Sequence, residues 1–239
     1  MTLALRQHIQ VMPRRFDVPW RKPDSSCVLS LPGADQLSYG NTIVDRSGSG
    51  NDGAITGAVW KRLPSGLWYL YFDGNDDYVD FGTGIAITTQ DFSLLAWVNR
   101  ASQGAYSHIF GCSAVNGIDF RIRPNYDATL PNGYNLTKDA AADAPNANTA
   151  ITAGWHLIGV TFDNSEATAN CQYYLDGVGD GLVNFDVDFG DSFRYVGITR
   201  GLTGDMLGSI ALPRAYLNTI LTAAQFRSIF RQERHLFGV

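Results

Sequence analysis

Few residues in this 239-residue chain are of the types that do acid–base or nucleophilic chemistry. Only two glutamates occur, Glu166 in the turn-like run 164–167 and Glu233 in a C-terminal run with helical spacing. Hydrolysis of a glycosidic bond needs two carboxyl groups flanking the scissile bond. Asp186 and Asp188 alternate and would share one face of a strand, but a pair in loop-rich sequence serves equally as a turn device or a solvated face. The four histidines (His8, His108, His156 and His235) stand apart and match no H-E-x-x-H spacing. His156 follows Trp155 at the head of an apolar run and reads as a structural histidine. Gly48, Gly50 and Gly53 lack the lysine of a phosphate-binding loop. Cys27, Cys112 and Cys171 are too few and too scattered for a disulfide framework or a zinc site, which leaves buried free thiols. Catalysis is not what these residue types point to.

Binding chemistry is better represented. Trp60 and Trp68 flank Lys61 and Arg62, and Tyr126 and Tyr134 lie in a long excursion over residues 124–153. Each ring could stack on a sugar, with core or rim packing as the plain alternative. Residues 1–23 carry Arg6, Arg14, Arg15, Arg21 and Lys22 against Asp17, net +4, while the remainder is net −9. Arg14, Arg15, Phe16, Trp20 and Arg21 therefore form a candidate docking arm for a partner, or a solvated terminus. An acidic body excludes general nucleic-acid binding, which needs a basic folded surface. No apolar run reaches the length of a signal-peptide core or a bilayer span, so no membrane insertion is expected.

The elements that would position these residues are strands. The 25 glycines, with abundant Asn and Asp, signal many tight turns. Short apolar runs between turn clusters predict strands at 27–31, 67–72, 78–81, 92–99, 108–112, 118–123, 156–162, 172–175, 194–198 and 207–216. A small hairpin is expected near 133–137. Without interposed amphipathic helices these runs form antiparallel sheets. Thr222 precedes Gln225 by three, a capping-box spacing, and Phe226, Ile229 and Phe230 recur as an apolar stripe. The expected fold is all-β: a two-sheet antiparallel sandwich, or jelly roll, with an extended arm (1–25) before a domain over 26–239 that ends in a helix over 222–236. Phe72, Tyr78, Phe92, Trp97, Trp155 and Phe162 are its expected core.

Five ordered motifs resemble the laminin G-like and concanavalin A-like jelly rolls. They are the loop Asp45 to Gly53 (DRSGSGNDG), the strand–turn–strand Leu70 to Val79 (LYFDGNDDYV) and the strand holding Trp97. Trp155 to Asp163 followed by Tyr174 to Gly177 comes next, and Gly208 to Gln225 closes the series. The resemblance covers about residues 26–232. It implies a calcium site formed by the first loop and an aspartate of the closing strand. Asp45 and Asn51 match the loop, but Ala211 stands where that aspartate belongs, so calcium is possible and not required. Hydrolases of this group draw their carboxylates from a Glu-x-Asp-x-Glu-like strand, which is missing here.

These readings give a non-catalytic recognition or assembly protein. One expectation is a structural or attachment component of a larger particle such as a phage virion, with the arm docking on neighbouring subunits. The alternative is a lectin-like carbohydrate-binding module, with a glycoside hydrolase ranked last. The compartment is not legible.

Overall fold

The computed structural model describes residues 25–33, 40–87, 90–100, 107–112, 117–123, 133–138, 142–143, 145–185, 192–199 and 205–239. In chain order its strands are β1 (Cys27–Ser30), β2 (Thr42–Ile43), β3 (Gly53–Thr56), β4 (Val59–Arg62), β5 (Trp68–Asp73), β6 (Tyr78–Ala86), β7 (Phe92–Arg100) and β8 (Ser107–Cys112). They continue as β9 (Ile118–Arg123), β10 (Gly133–Lys138), β11 (Ala142–Asp143), β12 (His156–Phe162), β13 (Cys171–Leu175), β14 (Val178–Val183), β15 (Ser192–Val196) and β16 (Leu207–Leu217), followed by α1 (Ala223–Phe237).

Two antiparallel sheets result. The first runs β14–β13–β12–β7–β16–β5–β4, with β1 also on β16, and the second runs β11–β10–β9–β8–β15–β6–β3–β2. Side chains alternate across each strand, and the inward set makes one continuous core. Phe72, Phe92 and Phe162 from the first sheet meet Phe110, Phe120 and Phe193 from the second. Strand β16 serves two neighbours on one edge: its first half pairs with β5 and its second with β1. A bulge between Ala211 and Arg214 separates the halves, with Leu212 at φ 50.

A second core lies on the outer face of the first sheet, under α1. Leu95, Trp97, Leu157 and Tyr174 point outward there and are covered by Phe226, Leu236 and Phe237. Trp97 stacks on Phe237 at 4.0 Å and Tyr174 on Phe226 at 3.8 Å. Gly159 lets the helix approach, since a Cβ there would meet the Phe226 ring at 2.3 Å. Covering both faces explains why β7 is apolar at every position from Leu94 to Val98 and does not alternate. Trp97 and Trp155 therefore fill this second core, and Tyr78 lies part-exposed on the outer face of the second sheet. The other three expected core aromatics, Phe72, Phe92 and Phe162, occupy the space between the sheets.

The helix is held by designed ends and by a charge. Gln225 N–H donates to Thr222 Oγ1 and Thr222 N–H to Gln225 Oε1, and Gly238 closes the C-terminus at φ 74. Glu233 receives a two-pronged bond from Arg214 at 2.8 and 2.7 Å and a third from Trp97 Nε1 at 2.8 Å. No described helix is long and apolar enough to cross a membrane.

Candidate functional site

Trp60 and Trp68 come together. They lie on the hairpin β4–β5, where Trp60 pairs with Leu70 and Arg62 with Trp68. Leu70 belongs to the core, so Trp60 and Trp68 share its inward face. Strand β4 ends the first sheet, and its inward side chains therefore sit at the lateral opening of the sandwich. Both indoles are half-buried there and line a cavity whose other walls include Leu31, Ile43, Leu70 and Leu212, all buried. The free space suffices for about one water molecule. Arg62 stacks over Trp68, 5.6 Å from its ring centre, and its Nε donates to Gly66 O at 3.0 Å, which fixes the outer side of that indole. The Trp60 Nε1–H is sealed from solvent and has no acceptor among the described residues.

The other aromatic candidates separate. Tyr134 is wholly buried between the sheets, against Phe120 and Tyr173, and its hydroxyl donates to Asp180 Oδ2 at 2.7 Å. Burial and that bond push its phenol far above the ordinary range. As a surface platform Tyr134 is corrected: alternation along β10 turns it inward, beside Leu136. Tyr126 and the arm residues Arg14, Arg15, Phe16, Trp20 and Arg21 lie outside the described residues, as do Asp186 and Asp188.

Asp45 and Asn51 meet, but through donors. Asp45 Oδ1 accepts from Ser30 N–H (2.9 Å) and Ser47 N–H (2.8 Å), and Oδ2 from Ser47 Oγ–H (2.7 Å) and Asn51 N–H (3.0 Å). Asn51 Nδ2 donates to Val28 O at 2.7 Å. Four donors converge on the carboxylate, which ties the loop to β1 and leaves little free lone-pair density for a cation. The described group with oxygens suited to a hard cation is instead Asp73, Asp76 and Asp77, whose ligand atoms lie within 4.8 Å of one another. Burial raises the pKa of Asp77 and of Asp205, and the charges of Asp73 and Asp76 raise both further. Sequence reading treated this stretch as a turn, because Asp-Gly-Asn-Asp is ordinary turn composition.

The outer face of the second sheet is polar in two different ways. Near its middle Arg194 forks onto Asp80 at 2.6 and 2.6 Å, beside an edge-to-face pair of Tyr78 and Tyr195 at 5.9 Å. Burial tends to raise the Asp80 pKa, but the Arg194 bonds, the Gly82 N–H and the Arg194 charge together hold that carboxyl low. Farther along, the register sets His108, Arg121 and Asn135 in one rank across β8, β9 and β10. Asp119 next to them accepts from Cys112 N–H (2.8 Å) and Thr199 Oγ1–H (2.6 Å). Gly111 permits that segment to cross, because a Cβ would strike Ile198 O. His108, Asp119, Arg123, Asn135 and Thr137 are each at most 4% exposed, so this layer is closed.

One chain of groups has the order hydroxyl–imidazole–carboxylate. Thr152 Oγ1 lies 2.9 Å from His156 Nε2, and His156 Nδ1 lies 2.9 Å from Asp176 Oδ2. Asp176 also accepts from Leu157 N–H at 2.9 Å. Thr152 is exposed in the loop before β12, and the chain straps β12 to the turn of the β13–β14 hairpin. Neither glutamate stands free in a cleft: Glu166 is exposed on a loop, and Glu233 is spent on Arg214 and Trp97.

Similarity to known proteins agrees with this architecture. Domain 4 of AbnA, a GH43 extracellular arabinanase from Geobacillus stearothermophilus determined in complex with arabinotriose, superposes with a TM-score of 0.66 at 16% identity, covering 85% of this chain and 98% of that one. Trypanosoma rangeli sialidase in complex with sialic acid superposes with a TM-score of 0.61 at 16% identity, over 91% of this chain. A botulinum neurotoxin type C structure, whose cell entry depends on two ganglioside molecules, gives 0.57 at 15% identity over 86% of this chain. This chain spans 35% of the sialidase and 51% of the toxin chain. At these identities the likeness establishes the fold alone. No curated protein sequence matches the chain. A family model does match residues 73–224, well over half the chain, and with the two facing sheets it establishes that this protein belongs to the concanavalin A-like lectin/glucanases superfamily.

Proposed function

We propose that this protein is a non-catalytic carbohydrate-recognition module whose ligand seats at the sandwich opening between β4 and β2, against Trp60 and Trp68. The observation that carries this reading is the pairing of two half-buried indoles at the end of the sheets, one of them backed by Arg62. A sugar ring offers an apolar C–H face for the indoles, and sites of this kind combine apolar walls with few fixed polar groups. Two other polar groups are spent internally: Arg194 on Asp80, and Asp45 on its loop. Structural neighbours determined with arabinotriose and sialic acid favour a glycan ligand over the particle-assembly role. That role rested on the arm, and nothing in the described residues supports it.

Glycan-array screening followed by calorimetry on the strongest hit tests the proposal. Trp68→Ala should weaken binding at least tenfold, on the order of 1.4 kcal/mol, as loss of an aromatic anchor does. Tyr195→Ala should leave it unchanged. Equal binding by the wild type and Trp68→Ala, or silence across the array, would overturn the reading.

A further inference from the structure

We infer that the glycan taken at the β4–β5 hairpin carries a carboxylate, as sialic and uronic acids do, and that the Arg62 guanidinium holds it beside Trp68. This rests on the glycan reading and adds the ligand class to it.

The inference starts from how Arg62 is held. It pairs across the hairpin with Trp68, and its guanidinium lies 5.6 Å from the centre of that ring. Its Nε–H donates to Gly66 O at 3.0 Å. The turn between the strands is closed by Leu63 N–H on Leu67 O (2.8 Å) and Gly66 N–H on Leu63 O (2.9 Å). Gly66 sits at φ 95, and a Cβ there would lie 3.2 Å from Arg62 Nη2. Ring, turn and carbonyl together set the plane of the guanidinium. The side chain is nevertheless exposed and meets no carboxylate among the described residues.

A charge on an edge strand has a plain role, which is to deter another strand from pairing there. That role needs no fixed geometry, and Lys61 beside it already supplies a charge. Holding a long side chain in one place costs up to about 2 kcal/mol of rotamer freedom. A fixed fork offers what a mobile charge does not: two parallel N–H bonds to one planar acceptor.

The open edge of that fork selects the acceptor. Nε is used on Gly66 O, so the edge formed by Nη1 and Nη2 is the one left for a ligand. Its two N–H groups match the two oxygens of a carboxylate. Charge selects in the same direction. Residues 57–72 include no acidic side chain that could compete for Arg62. Lys61 is turned to the other face of the hairpin, where it lies over the Tyr71 ring at 3.4 Å. One guanidinium suits one carboxylate, and the net −9 of residues 24–239 disfavours a polyanion.

Calorimetry with sialyllactose and glucuronosyl-xylose, each beside its methyl ester, tests the inference. The ester keeps the shape of the sugar and removes its charge. At least one acid should bind roughly fivefold or more tightly than its ester, and the pair that shows the gap identifies the acid. Added salt should narrow the gap and leave the ester unmoved. Arg62→Gln should bring the acid down to its ester without changing the ester's affinity or the thermal midpoint. Arg62→Lys, which keeps the charge and loses the fork, should retain only part of the gap. A preference for the acid that survives Arg62→Gln overturns the inference. Acid and ester binding alike, both lost in Trp68→Ala, uphold the glycan reading and overturn the acidic class. Silence from all four compounds also overturns the acidic class. The glycan reading then stands only if a neutral glycan from the array binds the wild type and not Trp68→Ala.

Discussion

Single side chains here divide by whether their polar groups are already used. Asp45, Asp80, Asp119 and Glu233 are all saturated by protein donors, and each acts as a strut. Asp205 is the opposite case. Its Oδ1 is buried without a partner among the described residues, and burial, then Asp76, Asp77 and Asp73, raise its pKa. A carboxyl with a raised folded-state pKa costs nothing while it is protonated in both states, below the ordinary carboxylate range. The cost grows as pH rises through its unfolded and then its folded value. Asp205→Asn should therefore raise the thermal midpoint at pH 7 in chelator by about 2–4 °C. It should leave the midpoint at pH 3 unchanged, and scanning calorimetry at the two pH values decides this. A gain that persists at pH 3 would show that repulsion is not its origin. Added calcium should stabilise the wild type more than Asp205→Asn if the Asp73–Asp76–Asp77 carboxylates hold that ion, and equal stabilisation of the two would count against it.

At the scale of elements, the helix and sheet depend on one another. Removing the Glu233 side chain leaves Arg214, only 12% exposed, with a charge and no counterion. Glu233→Ala should cost about 3–5 kcal/mol in urea unfolding, whereas a loss below about 0.5 kcal/mol would mean that the stacked rings alone hold the helix. Ending the chain at Leu221 would uncover Leu95, Trp97 and Tyr174. The shortened protein should bind a hydrophobic dye and show red-shifted tryptophan emission, and a blue-shifted, dye-silent product would contradict the second core. Most strands were legible from alternation and turn composition, and the helix from Thr222, Gln225 and its aromatic stripe. Strand β4 was not, because Val-Trp-Lys-Arg at a sheet edge carries no alternation of buried and exposed side chains. The role of Trp97 was misread for a related reason. A run apolar at every position looks the same whether its second face meets another sheet or a helix.

At the scale of the whole molecule, both sheet faces are partly closed among the described residues, and the exposed carboxylates of Asp73 and Asp76 are one open polar group. One outer face is roofed by α1, and part of the other is a closed polar layer around His108, Asp119 and Asn135. Among the described residues the sheets end in β4 and β2, at the cavity that Trp60, Trp68 and Ile43 line. Trp60 and Trp68 could be suspected from sequence because indoles beside charged residues are common at binding rims. Their meeting could not, because it depends on cross-strand register and on which strand closes the sheet. A crystal structure with the glycan that binds most tightly tests this most directly. The account predicts a sugar ring stacked against the half-buried indoles of Trp60 and Trp68. A ring bound instead on the second sheet, against Tyr78 and Tyr195, would contradict it.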